Sequence, residues 1–432
     1  MKKTFFARKI FLVYLFFIIN ILIVGLSKWI DQTPIVVWSL LSFVVLIPGF
    51  SLARLFRFKA KEIAGDLVIW LALGWLMALL LALFAILGGL TISTFATIYP
   101  VLTGLIFISA FLKDFIGHKD QLLNSWKIKF SWELFPYILM LVYLLAVAII
   151  MLKGSIFKGG DAMYHLSLVR KVIENQSMTF SNLSYVKDQL IIAYAFPVWH
   201  VLIGLMARLG NNDIFLIWKD LTVPLFAMAC IIWYWLGRKI FQTKIIAILG
   251  LLFFVFFYFN DRAGFGLTTL PIPHSLTNFI LLPLTIALSV NYIFYSKSDW
   301  RQLVMIGVLS ALMGAVHLTG YFYFLTIIIG LFVVNLITSF GKSDYKKIIR
   351  ETILIIGPSM VFLAIFALIL ELKTHTVTQA LNVFSLENYQ TFVKHSSFSS
   401  LTFASKYAYI ALPIVLLFVR KYRPLGLLLS LF

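Results

Sequence analysis

The residues that could carry chemistry gather in one stretch of this chain. Gly159 and Gly160 permit a tight turn, and Asp161 follows where a helix N-cap would sit. From Asp161 to Glu174 the apolar residues Ala162, Leu166, Val169 and Ile173 fall on one helical face, as in an amphipathic helix. His165 stands one turn after Asp161, which puts a carboxylate and an imidazole side by side. Such a pair can take a proton from a hydroxyl, the imidazole orienting the carboxylate or the hydroxyl. A simple helix cap and an interfacial polar histidine account for the same two residues, so both readings stay open. Phe196-Pro197-Val198-Trp199-His200 then opens a second apolar helix ending at Leu209-Gly210. Lys219 and Asp220 lie in the next apolar run, where ionisable groups face a cavity or each other. Arg262 stands beside Asp261, His274 follows Pro273, and His317 closes a later apolar run. Lys219 and Arg262 suit an anion, although Lys219 also suits a pair with Asp220 or a snorkelling side chain. His274 and His317 suit a cavity wall or a structural helix end. No spacing of His, Asp and Glu gives a zinc site, and no P-loop, dinucleotide fingerprint or Gly-x-Ser-x-Gly is present.

The elements that must position these residues are membrane helices. Apolar residues make up 62% of the chain and charged residues 12%, about half the usual share, so a polar coat for a soluble globule cannot be built. Apolar runs near the roughly 20 residues that cross a bilayer recur from end to end, and lipid admits them only as helices. The expected fold is an all-α polytopic bundle of about 12–13 spans with interfacial helices on its outer face. Spans are expected at 10–30, 34–53, 67–88, 93–113, 135–152, 214–237, 244–259, 275–296, 301–317, 319–339, 350–371 and 406–420. The basic N-terminal residues and the apolar run after them read as the first span, since no small-residue cleavage site closes the run. A further apolar run begins at Leu425 and the sequence stops inside it, so the chain reads as a fragment.

The net charge of +19 invites a nucleic-acid reading, but the positions of the charges decide against it. With the N-terminus in the cytoplasm, the loops with Arg54 to Lys61, Lys113 to Lys129, Arg238 to Lys244, Lys297 to Arg301, Lys342 to Arg350 and Arg420 to Arg423 all fall inside. That agreement requires residues 190–210 not to cross the membrane. The stretch 153–213 is then an outer region between two spans, with two interfacial helices. The expected organisation is a four-span module at 1–134, with a basic cytoplasmic loop, and a second membrane module at 135–432. The single cysteine, Cys230, says nothing of redox compartment.

Several local features resemble the GT-C superfamily of integral-membrane glycosyltransferases. One is the aspartate that opens the first interfacial helix, Gly160-Asp161-Ala162-Met163-Tyr164-His165. A second is the Pro-x-Trp-His opening of the next helix. A third is Leu209-Gly210-Asn211-Asn212-Asp213, leading into a span. Leu46-Ile47-Pro48-Gly49-Phe50 is similar to the front module of uncharacterised bacterial and archaeal relatives. The resemblance implies an enzyme of the cell membrane, with a cytoplasmic N-terminus, that transfers a sugar from a polyprenyl-phosphate carrier. The acceptor would be a glycan, lipid or protein on the non-cytoplasmic face. It implies Asp161 as the base, with His165 beside it, and Lys219 on the lipid phosphate. Tyr164, His200, Asp220, Arg262, His274 and His317 complete the expected substrate surroundings. Many members carry two acidic residues where this chain has Asp161-Ala162, so a second acid would have to come from elsewhere. No cofactor is certain, and since some relatives use a divalent cation, Asp161 could hold one. A transporter or flippase of a lipid-linked saccharide and a non-catalytic scaffold are the competing classes. Transporters, however, often place polar groups near the midplane in broken helices, whereas here they gather at the outer boundary.

Overall fold

The computed structural model describes residues 2–30, 33–60, 62–118, 135–153, 160–175, 177–178, 196–259, 269–295, 299–338 and 345–374. Among these residues the chain is helical throughout, and its helices follow one another as α1 Lys2–Gly25, α2 Thr33–Phe56, α3 Ile63–Leu87, α4 Ile92–His118 and α5 Phe135–Lys153. Two shorter helices come next, α6 Gly160–Glu174 and α7 Val198–Gly210. Then come α8 Ile214–Phe241, α9 Lys244–Phe259, α10 Pro273–Ile293, α11 Trp300–Val316, α12 Leu318–Thr338 and α13 Tyr345–Thr374. The protein is an all-α, polytopic helical membrane protein. Among the described residues six helices, namely α2, α3, α4, α8, α10 and α13, are long and apolar enough to cross a bilayer. Each of the first eleven expected spans falls on a helix, and the twelfth, 406–420, lies outside the described residues. The division between the ninth and tenth spans is made by His317, whose extended backbone (φ −158°, ψ 115°) separates α11 from α12.

Helix α7 has 13 residues, about 20 Å at 1.5 Å per residue, which is well short of the roughly 30 Å hydrocarbon core. The stretch expected not to cross, 190–210, begins outside the described residues. The chain nevertheless does not leave α7 on a surface: nearly every side chain from Val198 to Ala207 is buried.

The described helices pack as two compact units, one up to Leu284 and the other from Thr285. The boundary falls within α10. This partition follows packing, whereas the 1–134 and 135–432 modules follow topology.

In the first unit, α2 and α3 touch backbone to backbone. A Cβ on Gly49 would overlap the Trp70 carbonyl, and one on Gly74 would overlap the Val45 carbonyl, so only glycine fits at either place. Around the Val45 contact α2 widens into a π turn at Ser42–Leu46, and the Tyr99 hydroxyl of α4 donates to the Val44 carbonyl at 2.6 Å. Polar contacts tie one end of the unit together. Arg54 holds Asp114 through two bonds of 2.6 Å, Lys113 donates to the Arg54 and Leu55 carbonyls at the end of α2, and Arg238 reaches Glu62 at 3.1 Å. The basic ends of α2, α4 and α8 and the start of α3 are thereby gathered at one end. At the other end the Met178 amide donates to the Leu90 carbonyl in the turn between α3 and α4.

In the second unit, Gly307 lets α11 lie against α13, since a Cβ there would overlap the Ile355 carbonyl. Asp299 caps α11 by accepting from the Arg301 amide at 3.1 Å. The Tyr321 hydroxyl reaches Ser359 at 3.2 Å, linking α12 to α13.

Candidate active site

The site is built where α6 and α7 meet. Gly204 of α7 opens the contact: a Cβ there would come within 2.9 Å of Val172 Cγ1 on α6. The face of α6 expected to lie on lipid is instead turned into protein, with Ala162, Leu166, Val169 and Val172 buried. His165 shares that face and is fully buried, contrary to its expected place near lipid headgroups. Asp161 lies in the first turn of α6, one residue inside its start at Gly160, and its side chain keeps 47% of its exposure. The carboxylate is therefore reachable while the imidazole beneath it is not.

His200, from the first turn of α7, completes a chain of three groups. Asp161 Oδ1 lies 3.4 Å from His165 Nε2, and His165 Nδ1 lies 2.9 Å from His200 Nε2. The two imidazoles are near parallel, 5.1 Å between centroids, and Trp218 of α8 lies parallel to His165 on a 6.3 Å spacing. Trp199 anchors the same turn: its indole N–H donates to the Pro271 carbonyl at 2.6 Å and its ring meets Trp75 of α3 at 5.7 Å. Burial, and then the neighbouring His165, hold the His200 imidazole well below its ordinary pKa, so His200 is neutral.

The other candidates are placed as follows. Tyr164 meets His165 edge to face at 5.2 Å. His274, at the second residue of α10, pairs with Asn278 at 2.9 Å, and the Asp161 charge acts on it, so it belongs to the same neighbourhood. Lys219 is half-buried directly after Trp218, and Asp220 is buried within α8. His317 belongs to the second unit, with its Nδ1 2.5 Å from Thr319 Oγ1. Arg262 lies outside the described residues. Trp199 was named only as part of the Pro-x-Trp-His opening, and Trp218 and Asn278 were not singled out in the sequence. Of these two, only Asn278 had a local signal, four residues after His274 on one helix.

The site lies at the end of the first unit away from the basic helix ends, since Trp218 opens α8 and Arg238 closes it. Among the described residues, no group of three or more His, Cys, Asp or Glu side chains is arranged to hold a metal ion. His165 turns one ring nitrogen to Asp161 and the other to His200, an arrangement that suits proton handling better than cation ligation. A family of unknown function, DUF6541, matches residues 42–420. The chain belongs to this family. The DUF6541 stretch takes in α6, α7 and all the residues around Asp161. No curated protein matches the chain, and no solved structure matches it.

Proposed function

We propose that this protein is a membrane glycosyltransferase that moves a sugar from a polyprenyl-phosphate carrier to an acceptor hydroxyl. Its site would face the non-cytoplasmic side of the cell membrane, with the N-terminus in the cytoplasm. The observation that carries this reading is the reachable Asp161 carboxylate, backed by a buried imidazole on a helix that does not span. In the reaction the acceptor O–H gives its proton to Asp161. The oxygen lone pair bonds the anomeric carbon, and the bond from that carbon to phosphate oxygen breaks. Its electron pair leaves with the polyprenyl phosphate, whose charge a cation stabilises. Lys219, half-buried directly after the Trp218 that lies parallel to His165, is the first candidate for that cation, and Arg262 is the second.

The test is an assay of purified protein in lipid nanodiscs with a panel of polyprenyl-phosphate sugars, with and without a chelator. Release of free polyprenyl phosphate, dependent on acceptor, is the expected result. Donor that crosses the bilayer intact, with no sugar released from any member of the panel, would make the protein a flippase.

A further inference from the structure

We infer that His200 is a positioning residue that holds His165 in one tautomer and thereby fixes the Asp161 carboxylate for its work as a base. This deepens the transferase reading and rests on it. His200 is 1% exposed, so a substrate cannot reach it, yet it spends its Nε2 on the imidazole of His165, which faces Asp161.

The geometry narrows the tautomers. His165 Nε2 lies 3.4 Å from Asp161 Oδ1 in an ion-pair contact and not a hydrogen bond. An ionised carboxylate therefore favours a proton on that nitrogen by its charge alone, and the hydrogen bond to His200 decides. With a single proton on Nε2, His165 presents a bare Nδ1, and the hydrogen bond of 2.9 Å then has His200 donating from Nε2. The donation works in one direction only while His200 is neutral and keeps its proton on Nε2. Were the His200 proton on the other nitrogen, His165 would have to turn a proton toward His200 and a lone pair toward the carboxylate. Two acceptors would then face each other at Asp161. The parallel stacking of the rings and the flanking Trp218 leave little room for either imidazole to rotate out of this arrangement. Orientation comes from the interior outward: His200 sets His165, and His165 sets Asp161, the only member of the three that an acceptor can touch.

The experiment uses the full chain labelled with 15N-histidine in nanodiscs, read by solid-state NMR. The chain has seven histidines, and the two signals are assigned by single substitutions at His165 and His200. In the wild type both residues are expected as neutral Nε2–H tautomers, with His165 Nδ1 shifted as an acceptor. In His200→Leu the His165 signal is expected to split into a mixture of tautomers. His200→Gln, whose amide N–H can replace the lost donor, is expected to restore a single species. A wild-type His165 with its proton on Nδ1, or a His165 signal unchanged in His200→Leu, overturns the proposal whether or not a donor sugar is known. Should His200→Leu fail to fold, the wild-type tautomers and the His200→Gln spectrum decide the matter. In transfer assays His200→Leu is expected to lower kcat about tenfold to a hundredfold with KM little changed, and His200→Gln to recover most of it. A change confined to KM would make His200 a substrate contact and overturn the proposal. If no sugar is transferred by the wild type, the transferase reading fails, while the tautomers still settle what His200 does to His165.

Discussion

A cap and a base ask different things of Asp161, and one substitution separates them. Asn keeps a side-chain oxygen that can bond the helix N-terminus but cannot accept a proton from a hydroxyl. Asp161→Asn is therefore expected to keep its expression and thermal stability while transfer falls by about 10²–10⁴. Near-normal transfer in a stable variant would reduce Asp161 to a helix-terminal residue. His200 yields a second outcome that needs no substrate. Its folded pKa lies below the ordinary histidine value of 6.5, so the unfolded chain binds more protons between those two values. Stability is then full above about pH 6.5 and is lost as pH falls below it, by at most about 1.4 kcal/mol per pH unit for one proton. The apparent Tm should hold from pH 8 to 7 and drop between pH 6.5 and 5, with a flatter slope in His200→Gln. An equal slope in both proteins would locate the acid sensitivity elsewhere. The pairing of Asp161 with His165 was legible because four residues is one helical turn. The pairing of His165 with His200 was not, because it joins two helices 35 residues apart in sequence and no local period reports such a meeting.

At the scale of elements, apolar runs and basic loops gave the helices, since lipid leaves a long apolar segment no other backbone structure. The role of α6 was harder to read. Its periodicity showed one apolar face, but an apolar face can meet lipid or protein, and only the partner decides. That partner is α7, which approaches closely because Gly204 has no Cβ. Gly49 of α2 and Gly74 of α3 likewise carried no sign of a close helix contact in sequence, yet each meets a carbonyl of the facing helix. Gly74→Ala would have to push backbone from backbone, an overpacking cost of about 1–3 kcal/mol or more. It is expected to lower the apparent Tm sharply or to abolish accumulation. Gly104→Ala, with nothing within 4 Å of its Cβ, is the control and should leave Tm unchanged or slightly raised. Equal behaviour of the two variants would mean that α2 and α3 are not in backbone contact.

At the scale of the whole molecule, sidedness ties the fold to the proposal. Arg54, Asp114, Arg238 and Glu62 gather at one end of the first unit, and the turn between α3 and α4 lies at the other. On a Cys230→Ser background, Ser93→Cys should react in intact cells with a membrane-impermeant maleimide, and Thr243→Cys should not. The reverse pattern would put Asp161 on the cytoplasmic side and remove the extracytoplasmic acceptor from the proposal. The placement of lysine and arginine gives an expected orientation, which this labelling tests, whereas the division into two packed units was not legible, because it falls inside a continuous helix at Leu284. The glycine contacts between α2 and α3 also bear on how the protein is made. A ribosome delivers these helices, and then α4 with its Tyr99 bond, before any of α6 or α7 has been synthesised. The three can assemble in the bilayer as soon as they leave the translocon. The two shorter helices α6 and α7 then arrive at a scaffold already standing, and the histidine pair closes against it.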